Sequence, residues 1–192
     1  ASDVYKRQIN DLVIDEDAKT VYLADPEMSL DVGSVGKGYA VEQAAQAAEA
    51  RGLTSALISV GGNVCATGPK TEAGDPWVIG IQDPDGGDYL HTVCVTGGSV
   101  VTSGDYQRTY LVDGESYHHI IDPETLMPSR YWRSVTVVCA DSGIADALST
   151  ALFLMPQGEG QTLLTRYNAE AMWVDADGGE FFSPGFRALL RT

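Results

Sequence analysis

The stretch Ser134-Val135-Thr136-Val137-Val138-Cys139-Ala140-Asp141-Ser142-Gly143-Ile144-Ala145-Asp146-Ala147-Leu148-Ser149-Thr150-Ala151-Leu152-Phe153-Leu154-Met155 changes its period part-way along. Up to Ala140 it is the strongest β-branched run in the chain, and such side chains suit a pleated sheet. From Ser142 to Met155 the period becomes helical, with Ser142 placed to cap the helix and Pro156-Gln157-Gly158 placed to stop it. Upstream, Val100 to Ser103 and Tyr110 to Val112 read as a pair of strands joined by the loop Gly104-Asp105-Tyr106-Gln107-Arg108. Trp77 to Gln82 and His91 to Thr96 alternate between turn residues, and Thr54 to Val60 is an apolar run closed by Gly61-Gly62-Asn63. Tyr39 to Arg51 continues in helical pattern to Gly52, and Ile9 to Leu23 alternates around Asp15–Lys19 as a short hairpin. Downstream lie a short helix over Gly160 to Tyr167, a strand over Ala171 to Asp175, a turn at Asp177-Gly178-Gly179 and a last strand near Phe181. Many strands, few helices and hairpin-like connections predict an α+β fold in which a mostly antiparallel sheet carries packed helices. No repeat or low-complexity linker divides residues 1–192, so one domain is expected.

The formal net charge is -15, with a sequence pI near 4.3. That balance opposes non-specific attachment to nucleic acid or to anionic lipid, because both partners would be negative. An acidic protein that handles a phosphorylated ligand needs local compensation from a metal ion, a lysine or a helix amino terminus. Cys65, Cys94 and Cys139 are far apart and set among small or apolar residues, so they read as core residues rather than as a zinc cluster or disulfide framework. Residues Ala1 to Gln8 have no signal-peptide pattern, no run reaches the length of a membrane span, and the first residue is not Met. The expectation is that the chain is a fragment.

Three segments carry candidate chemistry. Asp31-Val32-Gly33-Ser34-Val35-Gly36-Lys37-Gly38-Tyr39-Ala40 feeds a helix amino terminus, but it is no Walker loop, because Lys37 is followed by Gly38 rather than Ser or Thr. Its glycines permit close backbone approach and Lys37 offers a charge to an anion, while a purely structural turn explains the same pattern. In the helix from Ser142, Asp146 and Thr150 are four apart and share a face. Two oxygen ligands there suit a hard cation such as magnesium; the alternative is a polar stripe facing solvent. In Tyr117-His118-His119-Ile120-Ile121-Asp122-Pro123-Glu124-Thr125-Leu126-Met127-Pro128, adjacent histidines on a strand point to opposite faces, so at most one addresses a given site, and Asp122 reads as a turn initiator.

In their order and spacing these segments resemble the ApbE family of flavin transferases. The resemblance rests on Asp31 to Glu42, Ser59-Val60-Gly61-Gly62-Asn63, Thr102-Ser103-Gly104-Asp105-Tyr106-Gln107-Arg108, His119 to Pro128, Val135 to Ala140 and Ala145 to Ala151. It implies the carboxy-terminal portion of an ApbE-like, T-fold-like domain that uses FAD as substrate and Mg2+ as cofactor. The implied reaction moves FMN from FAD to a Thr or Ser hydroxyl of a target protein, with release of AMP. By the same resemblance Asp146, Thr150 and the Ser34 carbonyl hold the metal, Asp31 and Lys37 meet the FAD, and Asp31 and Asp146 are the catalytic candidates. His119 and Ile120 line the flavin, while Gly61, Gly62 and Ser103 shape the cleft. A target among membrane redox-complex subunits and a bacterial extracytoplasmic, membrane-associated location are further implications; that no nucleic-acid partner is expected follows from the charge instead. FAD pyrophosphatase activity and non-catalytic FAD binding remain alternatives. Ser34 and Gly36 depart from the family's usual small apolar residue and alanine, and Leu126-Met127 stands where the family has Gly plus one variable residue, which alters that turn.

Overall fold

The computed structural model describes residues 9–191; the reading of Ala1 to Gln8 lies outside them. Its centre is a six-stranded sheet in the order β12-β11-β10-β7-β4-β3, every neighbour antiparallel. The strands are β3 (Leu57–Val60), β4 (Asn63–Ala66), β7 (Gly98–Gly104), β10 (Ser134–Cys139), β11 (Glu170–Val174) and β12 (Glu180–Phe182). Three two-stranded ribbons accompany it: β1 (Leu12–Asp15) with β2 (Thr20–Leu23), β5 (Trp77–Gln82) with β6 (Tyr89–Val95), and β8 (Thr109–Val112) with β9 (Glu115–His118).

The β-branched run at β10 is explained by burial on both faces. Val135, Val137 and Cys139 point to a core shared with Leu148, Leu152, Phe153, Leu164 and Trp173. On the opposite face, Val100, Met172 and Val174 meet Ile79, Ile81, Val93 and Val95 of the β5–β6 ribbon and Phe186 of a closing 3-10 turn. A strand covered on both sides gains from an apolar residue at nearly every position, so strict alternation is lost. The helices α1 (Gly36–Glu49), α2 (Ser142–Phe153) and α3 (Gln157–Tyr167) cover the first face. Cys65 and Cys139 are buried free thiols whose pKa values burial raises, so both stay protonated and inert.

Several expectations need correction. Val100 to Ser103 and Tyr110 to Val112 do not pair with each other: β7 lies between β4 and β10, and β8 pairs with β9. The side-chain cap of α2 is Asp141, whose Oδ1 accepts the Ile144 amide at 2.8 Å, while Ser142 is already helical. Pro156 marks the start of α3, which begins at Gln157 rather than at Gly160. Helix α1 starts at Gly36, before Tyr39, and so takes Lys37 and Gly38 into its first turn.

That early start has a packing reason. A Cβ on Gly38 would lie 2.3 Å from the Ser142 carbonyl and 2.5 Å from Asp146 Cβ, so only glycine lets α1 cross α2 this closely. Read along the sequence, Gly36 and Gly38 belong to a loop; in the fold, Gly38 is the contact point of two helices.

Candidate functional site

The segments singled out in the sequence converge on one open cleft of about 780 Å³. The loop before α1 contributes Asp31, Gly33 and Ser34, and the first turn of α1 contributes Lys37. Opposite them stands the β3–β4 turn, where Gly61 and Gly62 have φ of 51° and 90°, a conformation that favours glycine. Thr102 and Ser103 of β7, Thr150 of α2, and His119, Ile120 and Ile121 beyond β9 contribute further to the walls. A volume of this order accommodates a cofactor-sized ligand.

Asp146 stands behind the cleft rather than on its surface. It is 2% exposed, which excludes a solvent-facing polar stripe. Its Oδ2 accepts the Gly38 amide at 2.8 Å, and its Oδ1 lies 3.7 Å from Lys37 Nζ. A carboxylate of α2 thus caps the amino terminus of α1, where the helix dipole favours negative charge. Ser149 Oγ donates to the Asp146 carbonyl at 2.9 Å and sits 2.8 Å from Ser103 Oγ, tying the same helix to β7. Asp31 Oδ1 accepts the Gly33 amide at 2.7 Å, which shapes the loop that carries Ser34.

The two adjacent histidines diverge. His118 is buried, with Nε2 2.9 Å from the Ser129 carbonyl, Nδ1 accepting the Ile120 amide at 3.3 Å, and its ring edge-on to Phe153. His119 is on the cleft wall. Desolvation there pushes its pKa below the ordinary value of 6.5, and the charges of Arg108 and Lys37 push in the same direction. The positive field that disfavours a third cation favours an anionic ligand.

Asp122 initiates the turn after this strand, its Oδ1 accepting the amides of Glu124 and Thr125 at 2.8 and 3.4 Å. Leu126 closes that turn with φ of 60°, a left-handed conformation held here by a residue other than glycine. Sequence reasoning missed Gln82, Tyr106, Arg108 and Leu154 as cleft residues. Tyr106 and Arg108 lie in a segment already singled out, so their signal was present. Gln82 and Leu154 end a strand and a helix and carry none. The Tyr106 hydroxyl is buried without a partner, and burial raises its pKa.

Comparison with known proteins gives a consistent result. The family described as the ApbE family matches residues 3–173. The FAD:protein FMN transferase of Treponema pallidum is 38% identical over 171 residues, covering 82% of this chain and 47% of that protein. The protein of the same name in Escherichia coli is 32% identical over 171 residues, 86% of this chain and 48% of that one. The chain therefore spans about half the length of the curated relatives it matches. Among solved structures, the ApbE protein of Thermotoga maritima aligns with a TM-score of 0.91 at 33% identity, covering 100% of this chain and 63% of that one. The flavin transferase ApbE of Vibrio cholerae aligns at 0.79 and 27% identity, covering 95% and 59%. With its antiparallel sheet, its cleft and these relatives in agreement, the chain belongs to the ApbE family.

Proposed function

We propose that the protein containing this chain transfers FMN from FAD to a Thr or Ser hydroxyl of a target protein, releasing AMP. The observation that carries this reading is the convergence of Lys37, Thr150, His119 and the Gly61-Gly62 turn on one cleft backed by the Asp146 carboxylate. In such a transfer the acceptor oxygen bonds to the phosphorus of the FMN half, the bond to the AMP phosphate breaks with its electron pair, and the hydroxyl proton is lost. Phosphoryl transfer of this kind depends on positioning and charge neutralisation more than on a protein nucleophile. Lys37 supplies a positive charge to the pyrophosphate, and Arg108 extends the favourable field across the mouth. His119 and Ile120 offer a wall to the flavin ring, and Asp31, on the cleft surface, is the carboxylate available to the acceptor's proton.

Asp146, Thr150 and the Ser34 carbonyl are oxygen donors of the type a hard divalent cation selects. Among the described residues no three His, Cys, Asp or Glu side chains form a metal-holding group, so a metal in this reading would rely on hydroxyl and carbonyl oxygens beside Asp146. Asp146 would be the anionic member of that set: its Oδ2 is engaged by the Gly38 amide and its Oδ1 pairs with Lys37 Nζ at 3.7 Å, so a metal would share that oxygen with the lysine. Magnesium held there would neutralise phosphate charge within a strongly acidic protein. In the same proposal the acceptor is a subunit of a membrane redox complex and the intact protein is extracytoplasmic and bacterial; the resemblance to flavin transferases is what supports both.

The test is to incubate the full-length protein with FAD, magnesium and a Thr-containing target, and to follow covalent flavin fluorescence on the target beside free FMN. Flavin on the target supports transfer. Free FMN alone identifies a pyrophosphatase, and FAD binding without either product identifies a binding domain.

A further inference from the structure

Helices α1 and α2 cap each other. Asp146 of α2 accepts the Gly38 amide of α1, and Glu42 of α1 accepts the Ser142 amide of α2 with Oε2 at 2.8 Å. The other oxygen of Glu42 accepts from Gln46 Nε2 at 2.9 Å, one turn along its own helix, which fixes the carboxylate's orientation. Ser142 is wholly buried, and its hydroxyl donates to Asn63 Oδ1 at 2.7 Å. Asn63 directly follows the Gly61-Gly62 turn of the cleft. The first residue of α2 is therefore held by α1 through Glu42 and by the β3–β4 turn through Asn63, with the Gly38 backbone packed against its carbonyl.

We propose that Glu42, which is not a cleft residue, is a positioning residue for the site: by holding the start of α2 it sets where Asp146 and Thr150 present their oxygens. The inference rests on the function proposed above. Asp146 lies one turn beyond Ser142, so a shift or rotation of the helix start is carried directly to the carboxylate. If Glu42 is lost, the buried Ser142 amide has no partner and α2 moves to find one. Misplacement of a catalytic group by about 1 Å costs on the order of a hundredfold in rate. Glu42→Gln keeps an acceptor oxygen of the same reach, whereas Glu42→Ala removes it.

Two measurements on the full-length protein test this. The first needs no turnover: the Gly38 amide proton, which Glu42 does not touch, is followed by NMR shift and hydrogen exchange. It should move upfield and lose roughly tenfold or more of its protection in Glu42→Ala, and stay in place in Glu42→Gln. An unchanged Gly38 amide in Glu42→Ala overturns the coupling whether or not the protein proves to be a transferase. In the second, FMN release at saturating FAD should fall roughly ten- to hundredfold in Glu42→Ala at a temperature where the protein is fully folded, with recovery in Glu42→Gln. Leu164→Ala, a core truncation in α3, serves as the control for stability alone and should keep its rate at that temperature. Equal rates for Glu42→Ala and Leu164→Ala would reduce Glu42 to a structural cap and overturn the proposal. If the unsubstituted protein neither binds FAD nor releases FMN, the functional reading falls while the Gly38 result still decides the coupling.

Discussion

Asp146 shows how one side chain serves both fold and site. Asp146→Asn keeps a carbonyl oxygen for the Gly38 amide and removes only the charge, so helix docking should survive. Metal-dependent FMN release should fall by about two to three orders of magnitude, as when a group stabilising transition-state charge is removed. Thermal unfolding beside the release rate checks both halves; unchanged turnover would leave the carboxylate as a cap alone. The histidines separate the same two roles across neighbouring positions. His118→Ala opens a cavity against Phe153 and strips a partner from the Ser129 carbonyl, so it should cost about 2–4 kcal/mol, measurable by urea unfolding, with FAD affinity nearly intact. His119→Ala should do the reverse. Because the folded pKa of His119 lies below its unfolded value, the unfolded chain takes up that proton first. Its contribution to stability is therefore level above pH 6.5 and falls as pH drops from 6.5 toward the folded value, which NMR titration of the ring would locate. The divergence of the two rings was legible from strand geometry alone. The burial of Asp146 was not, because its partner Gly38 is 108 positions away and helical spacing is silent about what a face meets.

At the scale of elements, the ends were harder to read than the interiors. The period change between β10 and α2 located both elements to within a residue or two, since periodicity is a local property. The start of α1 was read late because two glycines argue against helix, and only the crossing with α2 justifies one of them. Assigning the α2 cap to Ser142 was a one-residue slip between two good capping types. Asp141→Ala should cost about 0.5–2 kcal/mol of stability, seen as a lower denaturation midpoint with an unchanged slope. The turn after β9 offers the opposite sign. A non-glycine residue in the left-handed region costs about 1–2 kcal/mol; glycine removes that cost, and its greater freedom in the unfolded chain cancels part of the gain. Leu126→Gly is thus expected to gain up to about 1 kcal/mol in urea unfolding, whereas a Leu-to-Gly change elsewhere in a domain normally destabilises.

For the molecule as a whole, the acidic composition and the cleft act against each other. A net charge of -15 repels a pyrophosphate at long range, while Lys37, Arg108 and a bound divalent cation would attract it at short range. If Asp146 and Thr150 hold magnesium, the ion stabilises the folded state by mass action, about 2.7 kcal/mol at a hundred times its dissociation constant. The melting temperature of the full-length protein should rise with magnesium, fall back on chelation, and fail to respond in Asp146→Asn. An equal rise in that variant would move the metal elsewhere. The class of fold was visible in the sequence because many short alternating runs leave few architectures open. Strand order was not, since β7 sits between β4 and β10 through pairings that skip along the chain.

The reciprocal capping of α1 and α2 also bears on when the cleft comes into being. Glu42 and Ser142 are 100 residues apart, and Gly38 and Asp146 are 108 apart. Closing loops of that length carries an entropic cost that must be met before either pairing can form. During synthesis, α1 emerges long before the carboxylate that completes its amino terminus. A chain synthesised only as far as β10 lacks both Thr150 and the Asp146 carboxylate that backs the cleft, so the complete site exists only once α2 has docked on α1.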